Sequence, residues 1–520
     1  MLSKLSWLLI AFAVLYALFV QSVFPRYVVD DAYITFRYAE NLALHGELNW
    51  NVGEDPVEGY TGVALPVLLS GFIQAGVSPI SASRGIGIFS FWLGFIMLYL
   101  LVRRIRLHPL GVSSLLLLYA TLPVFFTHTF SGMETMLFLA LMFSSLYAAV
   151  SGKDKSLALF LLLTSLTRPE GVAFSLIILG LVAFVRYKES REAGKRFLLS
   201  TASIYALPAV LYFVWRFSYY GHLLPNTFYA KTEGDFTLYT VVDIARFIRR
   251  YIAVPLLGLL LLAGAETDAL VPTLRRWHKE RRALLYVLGG AVFCAAVVWV
   301  LANAHLIANF AHRFYVPLLP VAFVFLAFGW KLGFDALEPS RKTMPKRYAF
   351  VLSAFLLLVL YQSAFQMVKV REEIAFADEQ IILHEDVHNA VGKELGAILA
   401  PQETVIVYVD AGAIPYFSKL RAIDFGNLND ELLATGGLSP KERLDYFFGQ
   451  KAAALSFSST DTEKVSYGEE AAAIVSDQRF GDYRLYKRYI PREQKLVYYQ
   501  LVYLRKDVYD AITPNTGARP

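Results

Sequence analysis

Two adjacent aspartates, Asp30 and Asp31, open the segment DDAYITFRYAE and directly follow an apolar stretch at the N-terminus. Carboxyl groups in such a place can exchange protons with a substrate. Ionisable groups beside a bilayer are costly to hold, so they usually line a cavity or bind a ligand. One of the two could simply cap a helix that begins at Ala32, because Asp is a preferred N-cap residue. We do not expect both to do so, and the pair is therefore a candidate site.

Other charged residues and histidines stand near the ends of later apolar runs, and we predict that they converge on the same face as the aspartates. They are Glu134, Arg168, Glu170, Arg216, His305, His312 and Arg313. Some have plainer explanations. Arg168 and Glu170 flank a proline that could merely end a helix, and an isolated histidine such as His305 is more often structural. His312 and Arg313, beside the start of an apolar run, are candidates to contact an anionic ligand.

The composition places these residues in a polytopic membrane protein. Of the 520 residues, 56% are hydrophobic and 18% are charged, whereas soluble proteins carry about 25% charged residues. The net charge of +6 does not indicate nucleic-acid binding, because the basic residues lie in short clusters between apolar runs. The single cysteine, Cys294, excludes an intrachain disulfide.

Eleven apolar runs are long enough to cross a bilayer. They lie near 5–24, 85–102, 113–128, 133–150, 156–168, 171–185, 197–215, 252–265, 284–303, 313–330 and 348–366. The first run follows Lys4 and lacks a small-x-small cleavage site, so we expect an uncleaved span with a cytoplasmic N-terminus. The stretch 62–78 contains Pro66 and two glycines, and we predict an interfacial or re-entrant helix there.

Basic clusters define the predicted orientation, since they favour the cytoplasmic side. With eleven spans, five clusters fall on one side: 103–106, 153–155, 186–196, 275–282 and 341–347. Residues 1–366 are therefore predicted to form a transmembrane module with a first periplasmic loop at about 25–61. The odd number of spans places residues 367–520 outside, where we expect a periplasmic α/β domain.

The predicted outer domain carries a second group of candidates. We expect a helix near 371–399 and a strand at 404–409, followed by alternating elements. Asp410 follows that strand, and Asn429 lies in the segment DFGNLND. These residues could approach the aspartates and bind an acceptor, or DFGNLND could be an ordinary capping turn, since it is rich in turn-forming residues.

The block VVDDAYITFRYAENLALHGELNWNVGEDPVEGYTG at 28–62 resembles the first outer loop of GT-C glycosyltransferases. More narrowly, it is similar to bacterial arabinofuranosyltransferases that add terminal arabinofuranose in mycobacterial cell walls. The likeness continues in YYGHLLPNTFYAK at 219–231, HRFYVPLLP at 312–320 and DAGAIPYFSKLRAIDFGNLND at 410–430. These blocks extend in order along the whole chain, and the first is the most specific.

The resemblance implies an enzyme of the bacterial inner membrane with a periplasmic active site. Its donor would be a sugar, D-arabinofuranose by this likeness, on decaprenyl or undecaprenyl phosphate, and its acceptor would be an external glycan or glycoprotein. The catalytic base would be Asp30 or Asp31, which the likeness does not separate. Cations near the departing phosphate would stabilise its charge: Arg168, Arg216, His312 and Arg313.

A wider set of polar and aromatic residues in the outer loops is predicted to bind substrate. It comprises Tyr33, Arg37, Glu58, Tyr60, Glu134, Glu170, Asn226, Lys231, His305, Asp410 and Asn429. Arg37 could instead form an i,i+3 surface pair with Glu40, and Tyr33 could belong to the aromatic belt of the membrane interface.

Several alternatives stay open at the level of the sequence. Some GT-C enzymes use a divalent cation, and Asp30, Asp31 and Glu58 could supply oxygen ligands to Mg²⁺, Mn²⁺ or Ca²⁺; others use no metal. Transfer could invert or retain the anomeric centre. The sugar could be aminoarabinose, mannose or glucose. A flippase or transporter of lipid-linked glycans is a further alternative, but the internal repeats typical of transporters are not found.

Overall fold

The computed structural model describes residues 2–226, 238–265, 309–435, 437–493 and 495–513, with short stretches at 272–273, 289–292, 294–295 and 297–298. Four sequence predictions lie largely or wholly outside these residues. They concern the span near 284–303, the basic cluster at 275–282, Lys231 and His305.

Helices occupy most of the first 400 residues. Before residue 226 they are Leu2–Val23, Asp30–His45, Ala64–Gln74, Pro79–Arg104, Pro109–Thr121, Pro123–Phe130, Thr135–Ser151, Asp154–Thr167, Glu170–Glu189, Arg191–Thr201 and Leu207–Tyr220, with a π-helical turn at Ala202–Ala206. Further along they are Leu238–Tyr251, Ala253–Gly264, Leu318–Leu337, Ser340–Thr343, Pro345–Leu383 and Asn389–Ile398. Their order follows the predicted apolar runs in the described part of the chain.

By length and hydropathy, six of the described helices could each cross a bilayer, or up to eight if two bent pairs each form one crossing. Two other apolar helices, Ala64–Gln74 and Thr135–Ser151, are shorter, and Asp154–Thr167 has only 14 residues. The polytopic helical architecture agrees with the prediction. The eleven predicted crossings exceed the number that this criterion finds among the described residues.

The predicted segments 113–128 and 62–78 do not form straight spans. The run 113–128 forms a pair of helices, Pro109–Thr121 and Pro123–Phe130, bent by 51°. Pro123 lacks an N–H donor and its ring clashes with the preceding turn, so the helix cannot continue through it. The stretch 62–78 forms the 11-residue helix Ala64–Gln74, which at 1.5 Å per residue is too short to cross.

The two aspartates begin the helix Asp30–His45, which we call the outer helix. Its N-cap is Val29, and no side chain caps it, so neither aspartate has the capping role that the sequence allowed. Acidic residues in a first turn still interact favourably with the helix dipole. The helix ends at Gly46, whose φ of 75° is a left-handed conformation that glycine adopts at little steric cost.

The longest described helix, Pro345–Leu383, has 39 residues, and we call it the long helix. It continues through a π-helical turn, His384–His388, into the helix Asn389–Ile398. The sequence predicted a span at 348–366 and a separate helix near 371–399. The predicted domain boundary between residues 366 and 367 thus falls inside one continuous helix.

A five-stranded sheet forms the centre of the C-terminal part. Its strands are β1 Thr404–Tyr408, β2 Arg421–Asp424, β3 Ala454–Ser459, β4 Tyr483–Tyr489 and β5 Tyr499–Arg505. The strand order is β2-β1-β3-β5-β4, with β2, β1 and β3 parallel and β5 antiparallel to both β3 and β4. Short helices surround it: Ala413–Ser418, Glu431–Thr435, Pro440–Gly449, Glu469–Ser476 and Lys506–Ile512. The predicted α/β character and the strand at 404–409 agree with this sheet.

The outer helix packs directly against this C-terminal part. Ile34 and Tyr38 of the outer helix share a buried apolar cluster with Val391 and with Val405 of β1. Burying these side chains removes apolar surface from water, which stabilises the contact. The packing brings the first turn of the outer helix to the loop that follows β1.

Candidate active site

Asp30 and Asp31 point to different partners. Successive residues of a helix are separated by about 100° around its axis, so neighbouring side chains leave in different directions. Asp30 contacts the loop after β1, through Gly412 and Ala413. Asp31 contacts Arg313, which precedes the helix Leu318–Leu337. The pair therefore belongs to two separate groups of residues.

Backbone N–H groups hold the Asp30 carboxylate in place. The N–H groups of Gly412 and Ala413 each donate to one of its oxygens at 2.8 Å. The approach requires glycine, because a Cβ at Gly412 would lie 2.0 Å from the backbone oxygen of Asp30. Burial raises the pKa of the Asp30 carboxyl to about 6, although His388 and the Ala413 N–H act in the opposite direction.

His388 lies between Asp30 and Asp410. Its Nδ1 is 3.8 Å from an oxygen of Asp30, and its Nε2 is 3.6 Å from an oxygen of Asp410. Asp410 also accepts hydrogen bonds from the hydroxyls of Ser458 and Tyr498. Burial opposes ionisation of Asp410, but His388 and these hydroxyls hold its pKa below the usual range. The structure thus brings the predicted residue Asp410 to the first turn of the outer helix.

Asp31 belongs to a second group, on the side of the transmembrane helices. Its Oδ2 accepts from Nη1 of Arg313 at 2.7 Å, and its side chain is 32% exposed while that of Arg313 is 6% exposed. The Arg313 guanidinium lies 4.9 Å from the ring centre of Phe314 and 5.0 Å from that of Phe310. Such cation–π contacts fix the direction of the guanidinium. Asp31 therefore combines partial solvent access with an oriented cation.

Arg168 lies beyond the same aromatic ring, 5.9 Å from the centre of Phe314. It donates to Glu134 at 3.1 Å and makes a two-pronged contact with Glu170 at 3.0 and 3.3 Å. Three predicted residues thus form one buried ion cluster beside Arg313. Two carboxylates against one guanidinium satisfy that arginine within the protein, so a phosphate would have to compete with them.

A cavity of about 570 Å³ has His312 among its lining residues. Its basic lining comes from the helix Leu238–Tyr251 and from the long helix: Arg246, Arg249, Arg250 and Lys369. Val254, Tyr361 and Phe365 add apolar surface. We call this cavity the basic groove. Its arginines were not among the sequence candidates, although their spacing within the amphipathic segment LYTVVDIARFIRRY could have indicated them.

Arg216 and Glu58 form a further buried pair, away from both aspartates in the contacts they make. Nε of Arg216 donates to Oε1 of Glu58 at 2.9 Å, and its Nη1 donates to the carbonyls of His222 and Leu223. The Asn226 N–H donates to the Glu58 carbonyl at 3.2 Å. These bonds join the first outer loop to the loop after Leu207–Tyr220, and they do not bring Glu58 to Asp30 or Asp31.

Arg37, Tyr60 and Asn429 lie in the contact between the outer helix, its following loop and the C-terminal part. Arg37 donates to the carbonyls of Trp50, Pro415 and Leu420, while Glu40 pairs with Lys419 instead of Arg37. The Tyr60 hydroxyl lies 3.1 Å from that of Tyr220. Each of these side chains is thus engaged by groups of the protein itself.

Asn429 and Tyr33 complete the set of predicted residues within the described chain. Asn429 accepts from the Tyr38 hydroxyl at 3.2 Å and donates to Asp424 at 2.8 Å. Tyr33 packs its ring against Tyr416 and against His384. Tyr33 is therefore near the Asp30 group, whereas Asn429 contacts Tyr38 in the middle of the outer helix.

Sequence reasoning missed two histidines that the structure brings to Asp30. His384 and His388 are both buried, and their Nδ1 atoms are 3.2 Å apart. The signal was present, because the segment HEDVH at 384–388 places two histidines four residues apart in a helical stretch. Among the described residues, one group of potential metal ligands is found, formed by Asp30, His384 and His388. The predicted set of Asp30, Asp31 and Glu58 does not come together there.

The structure has the GT-C fold of membrane proteins. The parts that define this fold here are the helical bundle, the outer helix after the first span and the small C-terminal sheet domain. Two crystal structures of ArnT from Cupriavidus metallidurans share it. The apo form gives a TM-score of 0.57 at 12% identity, covering 98% of this chain and 98% of the ArnT chain. The form bound to undecaprenyl phosphate gives 0.55 at 13% identity, covering 96% and 98%. Likeness at this level of identity establishes the fold.

The sequence comparisons add one match, in the C-terminal part. Residues 373–503 match the profile of a domain of unknown function, DUF8728. No curated protein matches the chain at a significant level. The GT-C fold predicted from the first outer loop is thus confirmed, and the narrower likeness to arabinofuranosyltransferases stays a prediction.

Proposed function

We propose that this chain is a membrane glycosyltransferase that moves a sugar from polyprenyl phosphate to an acceptor outside the cytoplasm. The observation that carries the proposal is the pairing of Asp31, a partly exposed carboxylate, with the oriented guanidinium of Arg313. A general base and a cation stand side by side there, as a transfer from a phosphate leaving group requires. The fold that the chain shares with ArnT bound to undecaprenyl phosphate supports this donor class.

The basic groove is the proposed entrance for the donor. Arg246 and Arg249 offer positive charge to a phosphate, and Tyr361 and Phe365 offer apolar surface to the polyprenyl chain. Arginine is well suited to phosphate because its planar fork can form two parallel hydrogen bonds. His312 borders the groove and immediately precedes Arg313. The groove thus reaches the chain segment that carries Arg313, the partner of Asp31.

In the proposed reaction, Asp31 accepts the proton of the acceptor hydroxyl. The acceptor oxygen forms a bond to the anomeric carbon while the bond from that carbon to the phosphate oxygen breaks. The polyprenyl phosphate leaves with the electron pair, and Arg313 stabilises its negative charge. A single displacement of this kind inverts the anomeric carbon, so the configuration of the product tests it.

Asp31 fits the role of base better than Asp30 does. Both oxygens of Asp30 accept backbone N–H groups at 2.8 Å, which fixes that side chain against the C-terminal part. Asp31 makes its contact through Oδ2 and keeps partial solvent access. We propose Asp31 as the base and Asp30 as a residue that positions the outer helix.

The sugar that we propose is D-arabinofuranose, on the likeness of the 28–62 block and the later loops to arabinofuranosyltransferases. The proposed orientation has a cytoplasmic N-terminus and a periplasmic C-terminal part in the bacterial inner membrane. It is supported by the basic clusters at 103–106, 186–196 and 341–347. The acceptor would be an external glycan or glycoprotein.

The test uses the purified full chain in detergent with short synthetic polyprenyl-phosphate sugars. The donors would carry D-arabinofuranose, aminoarabinose, mannose or glucose, and arabinan, pilin and oligosaccharide acceptors would be offered to each. Mass spectrometry would detect the added sugar, and NMR its anomeric configuration. We expect a pentose on one acceptor, absent with Asp31→Asn.

Asp335→Asn is the matched control, since Asp335 is also an ion-paired carboxylate but pairs with Lys331 within the helix Leu318–Leu337. It should leave transfer unchanged. Transfer of a hexose or of aminoarabinose in place of the pentose would keep the reaction and reject the proposed sugar. No transfer from any lipid-linked sugar would contradict the glycosyltransferase proposal and favour a flippase.

A further inference from the structure

We propose that Asp30, His384 and His388 form a binding site for a transition-metal ion, with Zn²⁺ as the preferred occupant. The site would join the first turn of the outer helix to the π-helical turn that follows the long helix. It goes beyond the proposed transferase reaction and does not depend on it, because metal binding can be measured without any substrate.

The distances between the ligand atoms suit a tetrahedral ion. One atom from each of the three side chains lies within 4.8 Å of the others. The two histidine Nδ1 atoms are 3.2 Å apart, and Nδ1 of His388 is 3.8 Å from Oδ1 of Asp30. Two ligands at about 2.0 Å from a tetrahedral zinc are separated by about 3.3 Å. The histidine pair already has this spacing, and the oxygen of Asp30 lies next to it, 3.8 Å from Nδ1 of His388.

The backbone at this point is unusual, because residues His384–His388 form a π-helical turn. Single π-turns within α-helices occur often at functional sites. Residues four apart lie on one face of a helical stretch, so both imidazoles point toward Asp30. The sequence HEDVH contains the H-E-x-x-H spacing of zinc peptidases. Here Glu385 pairs with Arg492 at 3.1 Å and its side chain is exposed, so it does not act on a bound ion as a peptidase base.

The two histidines are buried beside the carboxylate of Asp30. His384 and His388 are 4% and 2% exposed, and among the described residues neither Nε2 has a hydrogen-bond partner within 3.5 Å. A hydrogen bond between the two Nδ1 atoms satisfies that pair when no ion is bound. An ion bound by both Nδ1 atoms would lie beside the negative charge of Asp30 and place a proton on each Nε2, and the Nε2 of His388 faces Asp410.

Asp410 is placed to accept a hydrogen bond from the second ring nitrogen of His388. Metal-bound histidines usually donate their second N–H to a carboxylate or carbonyl, which fixes the ring and raises its basicity. Nε2 of His388 faces Asp410 at 3.6 Å, and Ser458 and Tyr498 in turn hold Asp410. The Asp30 oxygens accept backbone N–H groups and still have lone pairs free for an ion, because a carboxylate has about four acceptor sites.

The ligand types select the class of metal. Two imidazoles and one carboxylate suit Zn²⁺ and its neighbours Co²⁺ and Ni²⁺, whereas Mg²⁺ and Ca²⁺ prefer oxygen ligands alone. Burial of both histidines favours a structural role. The ion would hold the outer helix against the C-terminal part and thereby fix the position of Asp31, one residue from Asp30.

The experiment measures metal in the purified full-length protein, prepared without a histidine tag. Elemental analysis should find about one zinc per chain, and removal of zinc with a chelator should lower the midpoint of thermal unfolding, which added Zn²⁺ restores. Cobalt substitution should give the visible absorption of a tetrahedral Co²⁺ site. His388→Gln should reduce bound zinc to background, and Asp410→Asn should weaken zinc affinity about 10- to 100-fold.

His45→Gln is the matched control, because His45 is an exposed histidine of the same outer helix, and it should keep full zinc content. A wild-type protein that binds no zinc, shows no change in unfolding with Zn²⁺, Co²⁺ or Ni²⁺, or gives no tetrahedral cobalt spectrum would overturn the site. Full zinc content in His388→Gln would also overturn it. Zinc binding without sugar transfer would reject only the proposed function.

Discussion

The surroundings of Asp30 and Asp31 differ although the two residues are neighbours in the sequence. Asp30 is held by two backbone N–H groups and faces buried histidines of the C-terminal part. Asp31 faces one arginine on the transmembrane side and stays partly exposed. A reactive carboxylate needs access to its substrate, and a positioning carboxylate needs fixed partners. In the proposed reaction, the reactive role falls to Asp31 and the positioning role to Asp30.

The largest effect that we expect is the loss of sugar transfer when Asp31, and not Asp30, is replaced. Asp31→Asn should lower sugar transfer by about 100- to 10,000-fold, the usual contribution of a general base, with little change in thermal unfolding. The comparison is with Asp30→Asn, measured in the same transfer assay. Equal activity of wild type and Asp31→Asn would reject Asp31 as the base.

The partner of Asp31 provides the next test. Arg313→Gln should lower kcat/KM by about 100-fold, as loss of a donor to developing negative charge does. Arg313→Lys should lose less, because it keeps the charge but not the planar fork. The rates would be measured with saturating acceptor and varied donor. If lysine and glutamine variants behave alike, charge at this position is not what matters.

Asp30→Asn should act on stability more than on chemistry. The change weakens two backbone hydrogen bonds at a buried carboxylate, so we expect a loss of about 1–3 kcal/mol in the free energy of unfolding. Its transfer activity at low temperature should exceed that of Asp31→Asn. Denaturation of both variants in the same detergent checks the difference. A stable, inactive Asp30→Asn protein would exchange the roles of the two residues.

Gly412→Ala tests the contact of Asp30 from the opposite side. The new Cβ would lie 2.0 Å from the Asp30 backbone oxygen, so the loop must shift, at a cost of about 1–3 kcal/mol for such overpacking. Gly85→Ala is the control, because no atom lies within 4 Å of its Cβ position. The midpoint temperature of thermal unfolding should fall for Gly412→Ala and stay unchanged for Gly85→Ala. Equal unfolding midpoints would mean that the loop adapts without cost.

The smallest expected effect concerns the basic groove. Arg249→Gln should raise the donor KM about 2- to 5-fold with kcat unchanged, since one surface charge contributes up to about 1 kcal/mol. The effect should shrink as salt is added, because salt screens exposed charges. Donor titrations at low and high ionic strength measure it. A change in kcat instead would place Arg249 close to the reacting atoms.

Much of the fold was predictable because apolar runs and basic clusters are local signals. The helices Pro79–Arg104, Glu170–Glu189 and Leu318–Leu337 coincide with predicted spans. The continuity of the long helix was not predicted. Its charged residues Lys369, Arg371 and Glu372 end the span in hydropathy but are good helix formers, so the helix goes on into the C-terminal part.

The candidate site was predictable in its residues more than in their partners. Asp30, Asp31 and Arg313 stood out because charge beside apolar runs is unusual, and Asp410 stood out because it follows a predicted strand. Which aspartate meets which partner depends on contacts between residues up to 383 positions apart, and no local pattern encodes them. The histidines of HEDVH could have been predicted from their spacing, because a helix places side chains four residues apart on the same face.

The length of the long helix determines the distance between the membrane and the C-terminal sheet. At 1.5 Å per residue its 39 residues extend about 58 Å, roughly twice the thickness of the hydrocarbon core. The helix is continuous beyond its apolar span, and the turn that follows its C-terminal end carries His384 and His388. The number of helical residues beyond the apolar span therefore sets the distance between the lipid surface and the C-terminal sheet.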